Sequence, residues 1–123
     1  MKMAGISFIP YKGVRIVYQD WSHSKPDVIL DLIERAKTMV VLQPKNSALV
    51  LINVKGASFN LDITKALREF AKENTPYVKC TAVYGVEGLQ EVVFKGIITF
   101  TGRKNIVLVK TLEEGKEFLA SQK

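Results

Sequence analysis

The sequence holds a single cysteine, a single histidine and a single tryptophan in 123 residues. A lone cysteine cannot close an internal disulfide, so a reducing compartment is the natural home. Cys80 and His23 stand far apart in the chain. No His/Cys cluster of metal-ligand spacing, no carboxylate pair and no Ser-His-Asp arrangement emerges, so no metal, cofactor or catalytic group is expected. No apolar run reaches membrane-spanning length. The opening MKMAGISFIPYKG carries only a short apolar run, broken by Pro10 and Lys12, which is too short for the core of a signal peptide. A cytoplasmic location is therefore expected. Low-complexity stretches, repeats and linkers are also missing, and the chain reads as one domain over 1–123.

Apolar residues make up 47% and charged residues 24%, enough to build a core and too apolar for disorder. Lys and Arg number 18 against 12 Asp and Glu, a net charge of +6. Such a balance favours anionic partners, but the basic residues are scattered with no run of three. Nucleic acid is therefore not expected as a partner.

Hydrophobic periodicity orders the chain. ISFIPY (6–11) and VRIVYQDW (14–21) read as two strands joined by Lys12-Gly13. From Pro26 to Leu42 the period becomes helical, with Ile29, Leu32, Ile33, Ala36 and Val40 on one face. Ser24 is placed to cap it and Pro44 to stop it. ALVLINV (48–54) is a continuous apolar run, the pattern of a strand covered on both faces. A second helix is predicted from about Asp62 to Asn74, turning Ile63, Ala66, Leu67, Phe70 and Ala71 inward. YVKCTAVYG (77–85) is the next buried strand. Gly88 to Thr101 is rich in β-branched residues but spaced as a helix, with Leu89, Val92, Val93, Gly96, Ile97 and Phe100 inward. That phase leaves Phe94 and Ile98, four apart, as an exposed apolar pair, a candidate self-association patch for a homodimer or a protein partner. NIVLVK (105–110) is the last strand, and Thr111 to Glu114 is a capping box opening a final helix. The order β-β-α-β-α-β-α-β-α implies an α/β fold: a mostly parallel sheet of about five strands with about four helices.

Ligands of open α/β sheets gather at the carboxyl ends of the strands. Three segments fall there: Trp21, Ser22 and His23; Lys55, Gly56, Ser58 and Asn60; and Gly85 to Gly88. Each has a plain structural reading beside the functional one. Asn60 or Ser58 would cap the second helix. Gly85 and Gly88 would permit a tight turn, since no Lys-Ser/Thr pair makes a Walker loop and Glu87 would repel a phosphate. Cys80, in mid-strand, reads as core packing. Lys65, Arg68 and Lys72 make a basic stripe that Glu69 and Glu73 dilute, which reads as a solvated helix face.

With this order of elements the chain resembles the SpoIIAA-like (STAS) domain family, closest to small stand-alone bacterial members. GVRIVYQDWS, ALVLINVKGASF and ENTPYVKCTAVYGVEGLQ carry the likeness. The resemblance implies one antiparallel edge strand. It also implies a non-enzymatic role in protein association or in small-ligand or lipid binding. Anti-sigma-factor antagonists of the family carry a phosphorylated serine in a D-S-S-G stretch opening the second helix. Aligned on Ser58-Phe59, that position falls at Ile63, so the usual phosphoserine switch is expected to be missing, with Ser58 or Thr64 as the substitute acceptors. The alternative reading is an enzyme, or a nucleotide- or phosphate-ligand sensor, working through the strand-end loops.

Overall fold

A computed structural model describes residues 5–101 and 105–122, with the backbone alone for Leu89, Phe100 and Thr101. The elements run β1 (Ile6–Tyr11), β2 (Val14–Asp20), α1 (Pro26–Val41), β3 (Ala48–Asn53), α2 (Leu61–Asn74), β4 (Val78–Tyr84), α3 (Leu89–Thr101), β5 (Ile106–Val109) and α4 (Leu112–Ala120). They form the predicted α/β architecture, with one sheet in the order β1-β2-β3-β4-β5. The β1–β2 hairpin is antiparallel and every later pairing is parallel.

Strand neighbours in space are therefore strand neighbours in sequence. Each parallel step is a β-α-β unit whose helix crosses one face of the sheet. Helices α1, α2 and α3 lie side by side on that face, over Val17, Val50, Ile52, Val78 and Val83. Among the described elements helix α4 alone covers the other, over Ile16, Leu49, Leu51, Cys80 and Ala82. Successive residues of a strand point to opposite faces, so β3 buries Ala48 to Ile52 without a break. The sheet consequently has two cores and no solvent face at its centre, as the continuous apolar run requires.

Helix α1 buries Ile29, Leu32, Ile33, Ala36 and Val40, the stripe that its spacing predicts. Its start differs from expectation. Lys25 occupies the cap without a side-chain bond, and the Ser24 hydroxyl donates to the Ser22 carbonyl instead. Pro26 in the first turn lacks one of the N–H groups a cap would serve. Helix α2 buries Ile63, Leu67, Phe70 and Ala71, and also Asn74, which the pattern does not reveal. Asn74 lines an apolar cavity of about 40 Å³ among Leu67, Phe70, Val83 and Ile97, and neither polar atom of its side chain has a partner.

The phase of α3 needs correction. The segment is helical as expected, but Gln90, Val93, Phe94 and Ile97 face the core, while Val92 and Gly96 are exposed. Phe94 is 4% exposed and packs against the Phe59 ring, centroids 5.9 Å apart, and Ile98 is half-buried. Phe94 and Ile98 therefore form no exposed self-association patch. The physical reason lies in the composition of LQEVVFKGIITFT: a helix apolar on most sides has no sharp stripe, so periodicity alone leaves its rotation open. The predicted inward positions Leu89 and Phe100 lie outside the described side chains.

Candidate functional site

The three strand-end segments meet in space because their strands are neighbours. Trp21 N–H donates to the Asn53 carbonyl at 2.8 Å, and Val54 N–H to the Tyr84 carbonyl at 2.8 Å, so each connection leaves its strand tied to the next. Farther out, His23 N–H donates to the Lys55 carbonyl at 2.9 Å and Ser58 N–H to the Ser24 carbonyl at 3.0 Å.

One side chain holds the centre. The Gln90 amide nitrogen donates to the carbonyls of Val54 at 3.1 Å and Ala57 at 2.6 Å. Its amide oxygen accepts from Glu87 N–H at 3.2 Å. A buried glutamine in the first turn of α3 thus fixes both the β3–α2 and the β4–α3 connections. The sequence gives little warning of this role, because a polar residue at a helix start reads as solvent-facing.

Two glycines are required by the approach of these loops. Gly56 has φ +70°, and a Cβ there would lie 2.3 Å from Nδ1 of His23. Gly85 has φ +87°, and a Cβ there would lie 2.7 Å from the Lys55 backbone nitrogen. Side chains at either position would force the connections apart. Gly88 has a positive φ with open space around it. His23 itself sits at φ +55°, outward and exposed, its ring against Gly56.

The remaining predicted residues divide. Trp21 is fully buried in the core beneath the loops and presents no surface to a ligand. Ser22 is engaged by the Asp20 carboxylate, to which its N–H donates at 3.0 Å. Asn60 caps α2, accepting from Ile63 N–H at 2.9 Å, which is the structural role foreseen for it. Lys55 and Ser58 are exposed. Cys80 is buried against the α4 face of the sheet, away from these loops.

A cleft of about 270 Å³ opens beside this cluster, lined by Lys55, Tyr84, Gly85, Val86, Glu87, Val109 and Lys110. Lys55 follows β3, Tyr84 ends β4 and Lys110 follows β5, so the cleft sits at the carboxyl ends of three parallel strands. Of its charged residues, Lys110 was not singled out by the sequence. Behind it, Asn53 donates to the Tyr18 hydroxyl at 3.2 Å, and burial pushes the Tyr18 phenol above its ordinary range. No group of three or more His, Cys, Asp or Glu residues suited to a metal occurs among the described residues.

No family model matches the sequence, and no curated protein matches it. Among solved structures, an anti-sigma-factor antagonist (STAS) domain protein from Planctomyces limnophilus superimposes with a TM-score of 0.62 over 95% of this chain and 99% of that one. The chain has the STAS fold. The two share 15% sequence identity, so the likeness is one of fold. The STAS architecture accounts for the antiparallel β1–β2 edge and the mixed sheet of five strands with four helices. No described helix is long and apolar enough to cross a membrane.

Proposed function

We propose that this protein is a non-enzymatic, SpoIIAA-like binding and regulatory module that docks a protein partner and does so without the usual phosphoserine switch. The observation that carries the reading is a pair of exposed aliphatic side chains on a rigid platform. Leu61 in the first turn of α2 is 79% exposed, and Val92 in the first turn of α3 is 67% exposed. Gln90 and the Phe59–Phe94 contact hold those two helix starts together. Isolated surface aliphatics are ordinary, but two at the adjoining ends of clamped helices offer a preformed contact. The similar solved structure is that of an anti-sigma-factor antagonist (STAS) domain protein, a domain type named for action on another protein.

The absence of the switch rests on Ile63. It stands where the resemblance places the phosphoacceptor, and it is fully buried on the inward face of α2. The Thr64 hydroxyl is bonded back to the Asn60 carbonyl at 3.1 Å.

The test is affinity capture from the native host with wild type beside a Leu61→Glu, Val92→Glu double variant. Both positions are exposed, so the variant retains the fold. A partner held by wild type and lost by the variant supports the reading. A partner held equally by both overturns this face as the contact. Phosphate on Ser58 or Thr64 in protein isolated from the host overturns the claim that no switch operates.

A further inference from the structure

The cleft at the carboxyl ends of β3, β4 and β5 lies where the chain changes sides. The connection after β4 runs to α3 on the three-helix face, and the connection after β5 runs to α4 on the opposite face. Adjacent parallel strands whose connections part in this way leave a crevice between them. That is the place where open α/β sheets bind ligands. In this sheet the order β1-β2-β3-β4-β5 sends α1, α2 and α3 to one face, so the β4/β5 boundary is where the switch falls.

The side chains around the crevice have a definite chemistry. Lys55 and Lys110 reach it from two different connections, and neither makes an ion pair among the described residues. Elsewhere lysines do find carboxylates: Lys37 with Glu73 at 3.0 Å and Lys95 with Glu91 at 2.9 Å. Glu87 supplies one acceptor on the crevice wall, and the Tyr84 phenol a hydroxyl. Two lysines against one glutamate line the crevice, a balance that favours an anion, with the Glu114 carboxylate, which accepts from Lys110 N–H at 3.4 Å, outside that lining. The Glu87 carboxylate and the phenol in turn suit a hydroxyl on the same ligand. The backbone that carries Lys55 and Glu87 is held in place, because Gly85 packs directly on Lys55 and Gln90 accepts from Glu87 N–H. At about 270 Å³ the space lies just under the range of drug-sized pockets, roughly 300–1,000 Å³, which suits a small ligand.

We propose that this crevice binds a small phosphate monoester bearing a hydroxyl next to the phosphate, with Lys55 and Lys110 on the phosphate and Glu87 on the hydroxyl. Such a site would make the module responsive to a metabolite through the same two connections that Gln90 ties to the starts of α2 and α3. Phosphate binding by lysine is electrostatic and loses strength with salt, so occupancy falls as ionic strength rises.

Glycerol 3-phosphate is the probe, titrated into labelled protein at low ionic strength and followed by the amide spectrum. Saturating shifts are expected at Lys55, Gly85, Glu87 and Lys110. Lys55→Ala and Lys110→Ala should each weaken binding about tenfold, equivalent to about 1.4 kcal/mol. Glu87→Gln should strengthen binding of inorganic phosphate, which lacks the hydroxyl, while weakening the preference for the glycerol ester. All three side chains are at the surface, and the dispersion of the spectrum verifies the fold of each variant. Shifts that do not saturate, or that survive in the Lys55→Ala, Lys110→Ala double variant, overturn the proposal. Sedimentation with phosphatidylcholine vesicles containing phosphatidic acid separates the two sources of the same headgroup. Attachment to those vesicles without binding of the soluble ester would also overturn it.

Discussion

Asn74 and Cys80 are both buried in a sheet-and-helix core, and they carry opposite expectations. The Asn74 side chain is 2% exposed, with its amide nitrogen and oxygen both unpartnered. Burying such a group without hydrogen bonds costs about 1–3 kcal/mol. Asn74→Leu, close in volume and apolar like the cavity around it, is expected to stabilise the protein by an amount in that range. A rise in the urea midpoint checks it, and a fall would mean the amide is satisfied in solution. Cys80→Ala removes a small apolar group from the other face and should cost on the order of 1 kcal/mol, with the wild-type thiol labelling only slowly in the native state. Cys80 was readable from the sequence because it lies in the middle of a buried strand, between Lys79 and Thr81, where a thiol has little access. Asn74 was not, because polarity at the end of a helix normally signals solvent, and only the packing of α2 against the sheet turns it inward.

Among the elements, α3 separates what periodicity decides from what it leaves open. Its existence as a helix was legible, against the β-branched composition, from spacing alone. Its rotation was not, because almost every face offers apolar side chains to the sheet. The deciding contacts are the Gln90 amide in the loops and the Phe94 ring on Phe59. Gln90→Leu should therefore cost about 1–3 kcal/mol, since it leaves the Ala57 carbonyl and Glu87 N–H without their partner. It should also raise amide exchange at residues 85–88 more than in α1, because the loss is local to the two connections. Uniform exchange across the chain would assign the effect to global stability instead. The strand-end location of the candidate site followed from the α/β order, whereas its second lysine did not. Lys110 enters the crevice only because α4 turns to the opposite face, and the direction of that turn has no local sequence signal.

At the scale of the whole molecule, the hairpin and the last helix are joined by a surface charge cluster that makes stability depend on pH. Glu117 of α4 pairs with Lys12 and accepts from the Tyr11 hydroxyl. Lys12 first, then Tyr11, hold the Glu117 carboxyl below its ordinary value, and the Tyr11 phenol is pushed up to about 12, first by its bond to Glu117. A depressed carboxyl favours the fold above the unfolded pKa of 4.5, and the contribution disappears as pH falls through the lower folded value. A raised phenol favours the fold below 10.0, and that contribution disappears as pH rises through about 12. The urea midpoint of wild type should exceed that of Glu117→Gln near neutrality, with the gap closing in acid. Because the groups are exposed, salt should shrink the gap as well. The sequential strand order has a further consequence for how the protein is made. Each β-α unit adds beside the one already in place, so a chain emerging from the ribosome can assemble from the hairpin outward, without waiting for a distant strand. Among the described elements helix α4 follows all five strands and shields Leu49, Leu51 and Ala82, so a nascent chain carries a bare hydrophobic sheet surface until α4 has emerged and docked. That interval, rather than the finished fold, is when the protein is most exposed to aggregation and to chaperone capture.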